Sequence, residues 1–182
     1  FEWVNKNLYY GAYVRAAGYF NDSDLSSIGR PASDREKALL APYPGIVDPA
    51  VMDGTYRPQA SDGSGSDRKV LREALSELQA AGYELRGNAL TNKATGQPLT
   101  FEIMVTTKED ERLALAYMRT LQRIGITASI RNVDAAQYQE RRNNFDFDVI
   151  RYTWAASLSP GNEQIYRWGS AAADQNGSFN YP

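Results

Sequence analysis

The feature that most constrains this chain is a change of periodicity near residue 66, after which helix-like and strand-like patterns alternate as far as residue 154. Val70, Leu71, Ala74, Leu75, Leu78 and Ala81 recur at helical spacing, with Arg68, Arg72, Glu73 and Glu77 on the opposite face and Gly82 as a stop. Residues 88–91 and 98–106 read as two strands around a turn containing Lys93-Ala94-Thr95-Gly96. In the second of them Phe101, Ile103 and Val105 alternate with Glu102 and Met104, the pattern of a half-buried strand. A helix is expected over 108–124, with Leu113, Tyr117, Leu121 and Ile124 on one stripe, then Gly125 and a strand over 126–133. Asp134-Ala135-Ala136-Gln137 has the spacing of a capping box that opens a third helix to residue 142, and 145–154 reads as a strong strand. Strand, helix, strand, helix, strand at crossover spacing specifies an α/β layer rather than a sandwich.

The first 65 residues lack that regularity. Pro31, Pro42, Pro44, Pro49 and Pro58 interrupt every long element, and only Asp34–Leu40, with Ser33 as N-cap and Glu36 near its start, reads as a short helix. Ser61-Asp62-Gly63-Ser64-Gly65-Ser66 is a turn-rich connector. The apolar content before it (Tyr9, Tyr10, Tyr13, Phe20, Leu39, Leu40, Val51) predicts an ordered segment that wraps the rest. The expected organisation is therefore a wrapping segment over 1–65 and an α/β core over 66–182.

Composition removes whole classes of chemistry. The 182 residues contain no Cys and no His. Thiol catalysis, disulfide scaffolding, the Ser-His arrangement and most transition-metal ligation are thereby absent. A net charge of -2 does not provide the basic field that nucleic acid requires. No run approaches the ~20 apolar residues of a membrane helix, and no basic segment followed by an apolar one marks a leader. The opening Phe1-Glu2-Trp3, without Met, reads as part of a longer protein, so any site must allow for a missing half.

Four constellations deserve weighing. Asp146 and Asp148 stand two apart on a predicted strand and so share a face, as a carboxylate pair for hydrolysis would, or as a polar face that meets solvent. Asp62-Gly63-Ser64-Gly65-Ser66-Asp67 has oxygen ligands but no bidentate Glu at the calcium-loop offset, and reads better as a turn with an N-cap. Arg141 and Arg142, with Arg131 and Arg151, form a local positive site or a solvated helix end. From Trp154 to Glu163 the chain passes from a strand end into Ser, Pro, Gly and Asn, the position at which α/β sheets place ligands. Tyr152, Trp154, Tyr166, Trp168, Phe179 and Tyr181 enrich this last part in aromatic rings suited to stacking.

Several segments resemble, in order, the family 5 extracellular solute-binding proteins that serve ABC importers for peptides and nickel. They are Asn21-Asp22-Ser23-Asp24-Leu25 with Gly29-Arg30-Pro31, Gly65-Ser66-Asp67-Arg68 leading to Leu71-Arg72-Glu73-Ala74 and Ala81-Gly82-Tyr83, and Ile124-Gly125-Ile126. Phe145-Asp146-Phe147-Asp148, Ser159-Pro160-Gly161-Asn162-Glu163-Gln164 and Gly177-Ser178-Phe179-Asn180-Tyr181 complete the set, which is similar to the branch near the murein-peptide and microcin importers. The resemblance implies a periplasmic-binding-protein-like lobe (type II, cluster C) with a mixed sheet and crossover helices. It implies the C-terminal lobe of a two-lobe receptor that closes on its ligand like a hinge, the N-terminal lobe lying outside this chain.

It further implies a binding protein and not an enzyme, with no cofactor and no metal. The receptor would be periplasmic or membrane-anchored, a monomer, with a peptide or peptide-like ligand and an ABC permease of the inner membrane as partners. In the oligopeptide binders an arginine three residues before the equivalent Trp neutralises the peptide carboxylate; that position is Arg151, with Trp154 as the stacking residue, and Arg142 matches a second arginine nine residues earlier. Where those binders hold the peptide ammonium with an aspartate, this chain has Ser157, and a hydroxyl cannot supply that charge pairing. A modified peptide, a muropeptide or a non-peptide ligand is expected accordingly, with Ser157, Asn162, Asn180 and Tyr181 as further contacts. The competing readings are a carbohydrate-binding or adhesion domain using aromatic platforms, and a hydrolase around Asp146 and Asp148.

Overall fold

The computed structural model describes residues 1–155 and 159–181. Its opening segment carries three short helices, α1 (Glu2–Leu8), α2 (Asp34–Leu40) and α3 (Pro49–Met52). At the start of α2 the Ser33 side chain accepts from the Glu36 amide, while Glu36 accepts from the Ser33 amide at 2.7 Å, a reciprocal cap. Glu2 ties α1 to the connector: its carboxylate accepts from the Ser61 hydroxyl at 2.6 Å and from Arg15 at 3.0 Å. The Ser61 hydroxyl above all holds the Glu2 carboxyl down at about 2.

The expected helix after the connector is α4 (Arg68–Ala80). Its N-cap is Asp67, which accepts from the amides of Lys69 at 2.9 Å and Asp62 at 3.0 Å, while Asp62 accepts from the Ser64 amide at 2.8 Å. The 62–67 loop is thus a turn and a cap. Among the described residues no cluster of three or more carboxylates is placed to hold a metal ion.

The pairing of the first strands differs from expectation. β1 (Tyr83–Arg86), absent from the sequence reading, forms an antiparallel hairpin with β2 (Ala89–Asn92), in register Tyr83↔Asn92 to Arg86↔Ala89. The reason is local: Gly87, at φ +60, and Asn88 supply the two-residue turn. β2 meets the segment that leads into the next strand through a bridge between Thr91 and Pro98, a 2.7 Å bond from the Leu99 amide to the Leu90 carbonyl and a 2.8 Å bond from the Asn92 amide to the Gln97 carbonyl.

β3 (Thr100–Val105), α5 (Lys108–Gln122), β4 (Thr127–Asn132), α6 (Ala135–Asn143) and β5 (Val149–Ile150) follow as two crossover units. Their strands form a parallel sheet in the order β4-β3-β5, with Thr100↔Thr127 and Ile103↔Val149 in register. Central β3 is buried on both faces at its end, Met104 included at 2% exposure, where the alternation had predicted one open face. The predicted stripe of α5 holds at its end, where Leu121 and Ile124 are buried, but earlier in the helix Ala114 and Met118 face the core, while Tyr117 lines a hollow with Trp3 of α1 and Leu71 of α4. The core gathers Leu90, Ile103, Val105, Leu121, Ile124 and Ile126 beneath Leu71, Leu75 and Leu78 of α4.

Two further expectations are corrected. Asp134 caps α6 by accepting from the Gln137 amide at 2.9 Å, a one-sided cap. The long strand over 145–154 is reduced to the two residues of β5. Phe145 takes φ +54 directly after α6, and the Asp148 side chain, not its backbone, accepts from the Glu102 amide at 2.9 Å. Side chains have replaced the ladder on the approach to β5. The remaining elements are α7 (Glu163–Trp168) and α8 (Ser170–Ala173).

Candidate ligand site

Beyond β5 the chain runs on outside any helix or strand as far as residue 155. Tyr152 and Trp154 meet there, their rings 5.3 Å apart and edge-on. Tyr181 returns to this place and meets Tyr152 at 4.9 Å, Trp154 at 6.1 Å and Phe147 at 6.1 Å. Trp168 of α7 lies 5.7 Å from Trp154. A cleft of about 310 Å³ opens between the edge of β5 and these rings, lined by Phe147, Asp148, Tyr152, Trp154 and Tyr181 among others.

The polar atoms of this cluster are the informative ones. The indole Nε1 of Trp154, the hydroxyl of Tyr181 and the Nε of Arg142 are buried with no hydrogen-bond partner among the described residues. Arg142 gives one bond to Gln139 at 2.6 Å, and its guanidinium stands 5.1 Å from the Tyr152 ring and 5.9 Å from the Tyr138 ring. Burial pushes the Tyr181 and Tyr138 hydroxyls above the usual phenol range, so both stay protonated and able to donate. An indole N–H, a phenol O–H and a guanidinium N–H side by side suit an acceptor-rich or anionic ligand group.

Arg142, Trp154 and Tyr181 are thus brought together. Arg151 is on the other face, where its Nη1 donates to Asp110 Oδ1 at 2.8 Å and stands 3.7 Å from Glu109 Oε1. The Asn162 backbone caps α7 and its side chain makes no cap bond. Asn180 donates to the Gly169 carbonyl at 3.0 Å, clasping the junction of α7 and α8. Ser157 lies outside the described residues. Tyr152, at the centre of the cluster, was not singled out as a contact; the Tyr152-x-Trp154 and Phe179-x-Tyr181 alternations are the signal that could have found it.

The two carboxylates considered for hydrolysis part company. Asp146 pairs with Arg141 at 3.2 Å, whereas Asp148 is engaged with the Glu102 amide. A second hollow, about 380 Å³, lies beside α6 among Arg131, Arg141 and Asp146, where the charges pair with one another or with Glu102.

The sequence model of the bacterial extracellular solute-binding proteins, family 5 Middle, matches residues 1–176. This chain belongs to that family. A Brucella melitensis relative is 49% identical over 181 residues, covering 100% of the chain and 29% of the relative. The peptidoglycan-binding protein YepA of Agrobacterium fabrum is 44% identical over 181 residues, again 100% of the chain and 29% of YepA. The chain therefore spans less than a third of the relatives it matches. The crystal structure of NikA from Brucella suis, solved with Fe(III)-EDTA, superposes with a TM-score of 0.58 at 16% identity, covering 98% of the chain and 28% of NikA. That likeness shows the fold, a periplasmic-binding-protein lobe. The family is one of binding proteins, and among the described residues no helix is long and apolar enough to cross a membrane.

Proposed function

We propose that this chain forms part of the binding wall of a receptor that captures peptides or peptide-like solutes between two lobes and delivers them to an ABC permease. Residues 1–65 would wrap the lobe and 66–182 would form its ligand-facing core. The receptor would act as a periplasmic or membrane-anchored monomer. Trp154 and Tyr181 would hydrogen-bond and stack on the ligand, Arg142 would meet an anionic group, and Ser157, Asn162 and Asn180 would line the rim. The observation that carries the reading is the gathering of three buried, unpartnered donors, on Arg142, Trp154 and Tyr181, around the ring of Tyr152, which lines the aromatic cleft. A donor set left unpaired inside a protein is costly unless a ligand completes it.

The names of the relatives agree with a peptide or peptidoglycan-derived ligand. Mass spectrometry of small molecules released on denaturing a protein of the relatives' full length tests the reading. Peptide or muropeptide masses are expected. A single sugar would keep the receptor and discard the peptide, and sugar binding by the 182-residue chain alone would favour an adhesion domain.

A further inference from the structure

We propose that Arg151 is a positioning residue, which fixes the face that Tyr152 and Trp154 present, and that the anionic group of the ligand is left to Arg142. The proposal rests on the receptor reading above. Tyr152 and Trp154 line the cleft, whereas Arg151 between them and β5 does not and reaches instead to the first turn of α5.

There Arg151 is held from several directions. Its Nη1 donates to Asp110, and the Tyr9 hydroxyl from the opening segment donates at 3.2 Å to the Glu109 oxygen beside it. Asp110 is only 14% exposed and is itself gripped by Thr107, whose hydroxyl donates to Oδ2 at 2.7 Å. The main chain is pinned too, since the Arg151 carbonyl accepts from the Tyr138 hydroxyl of α6 at 2.9 Å. One residue thus joins the opening segment, α5 and α6 at the point where the chain leaves the sheet.

Charge argues the same way. Arg151 faces two carboxylates, so the local charge is net negative and repels a ligand carboxylate. Arg142 has no carboxylate partner among the described residues and lies against the ring of Tyr152, a residue that lines the cleft.

The test compares trialanine with its C-terminal amide, binding to a protein of the relatives' full length. Arg151→Gln should weaken both forms by the same factor, leaving the acid-to-amide affinity ratio within about twofold of the parent. Arg142→Gln should cut that ratio by about tenfold or more. The near-UV circular dichroism of the unliganded protein should change alike in Arg151→Gln and Asp110→Asn, and Arg151→Lys should restore part of the signal. A ratio that collapses in Arg151→Gln while the unliganded spectrum stays unchanged overturns the proposal. Should the parent bind neither tripeptide, the receptor reading fails for such peptides. The unliganded spectra then decide alone: an unchanged Arg151→Gln spectrum overturns the positioning role.

Discussion

A buried hydroxyl with no acceptor costs free energy until a partner arrives, and Tyr181 carries one amid five other rings. Tyr181→Phe removes the oxygen and keeps the ring contacts. Its stability to urea should be unchanged or higher by up to about 1 kcal/mol, while ligand affinity falls by about 1 kcal/mol, as titration calorimetry would record. A loss of stability instead would mean that the hydroxyl is paired. Gly125 illustrates the opposite case of a residue fixed by geometry. At φ +80, a Cβ there would stand 2.6 Å from Leu85 Cδ1 and 2.8 Å from the Leu90 amide nitrogen. Gly125→Ala should cost more than about 1 kcal/mol in the same denaturation.

The elements that were legible are those whose signals are local. α4 and α5 announce themselves by apolar spacing, and α2 and α6 by Ser33 and Asp134 at their caps. β1 was missed although Tyr83-Glu84-Leu85-Arg86 alternates, because four residues make a short signal directly after the Gly82 stop, and its partner was set by the Gly87-Asn88 turn. The approach to β5 was misread because Asp148 satisfies a neighbour's amide with its side chain, an exchange that periodicity does not register. The candidate site was legible as single residues and not as an arrangement, for a related reason. Trp154, Tyr181 and Arg142 could be named singly, but the opposite facing of Arg151 needed the pairing with Asp110.

A pH prediction belongs to α1. The Glu2 carboxyl is held at about 2, below its ordinary 4.5, so its contribution is present above pH 4.5 and lost as pH falls through about 2. The melting temperature of Glu2→Gln should therefore lie below that of the parent near neutrality and converge with it toward pH 2. Parallel curves would show that the Ser61 contact does not stabilise.

Seen whole, the molecule keeps its core beneath α4 and α5 and leaves much of the rest open. Tyr10 and Val14 are 88% and 85% exposed, and Leu39, Ile46 and Ile165 also face outward. Open apolar surface of this kind marks interfaces. With most of the relatives' length outside this chain, the 182-residue piece alone should bind the dye ANS and associate with increasing concentration. A full-length protein should do neither, as fluorescence and light scattering would report. The sheet adds a consequence of its own. β5 grips β3 through only two residue pairs, and two pairs alone are a weak ruler for alignment. The bond from the Glu102 amide to Asp148 adds a third mark, one that only this side chain can make. Were the strand to shift by one position, every residue after it would change sides. Tyr152 and Trp154 would turn toward α5, and Arg151 would swing into the cleft. A single carboxylate outside the cluster of rings thus joins the Arg151 contacts in setting which surface the protein offers to the molecules it meets.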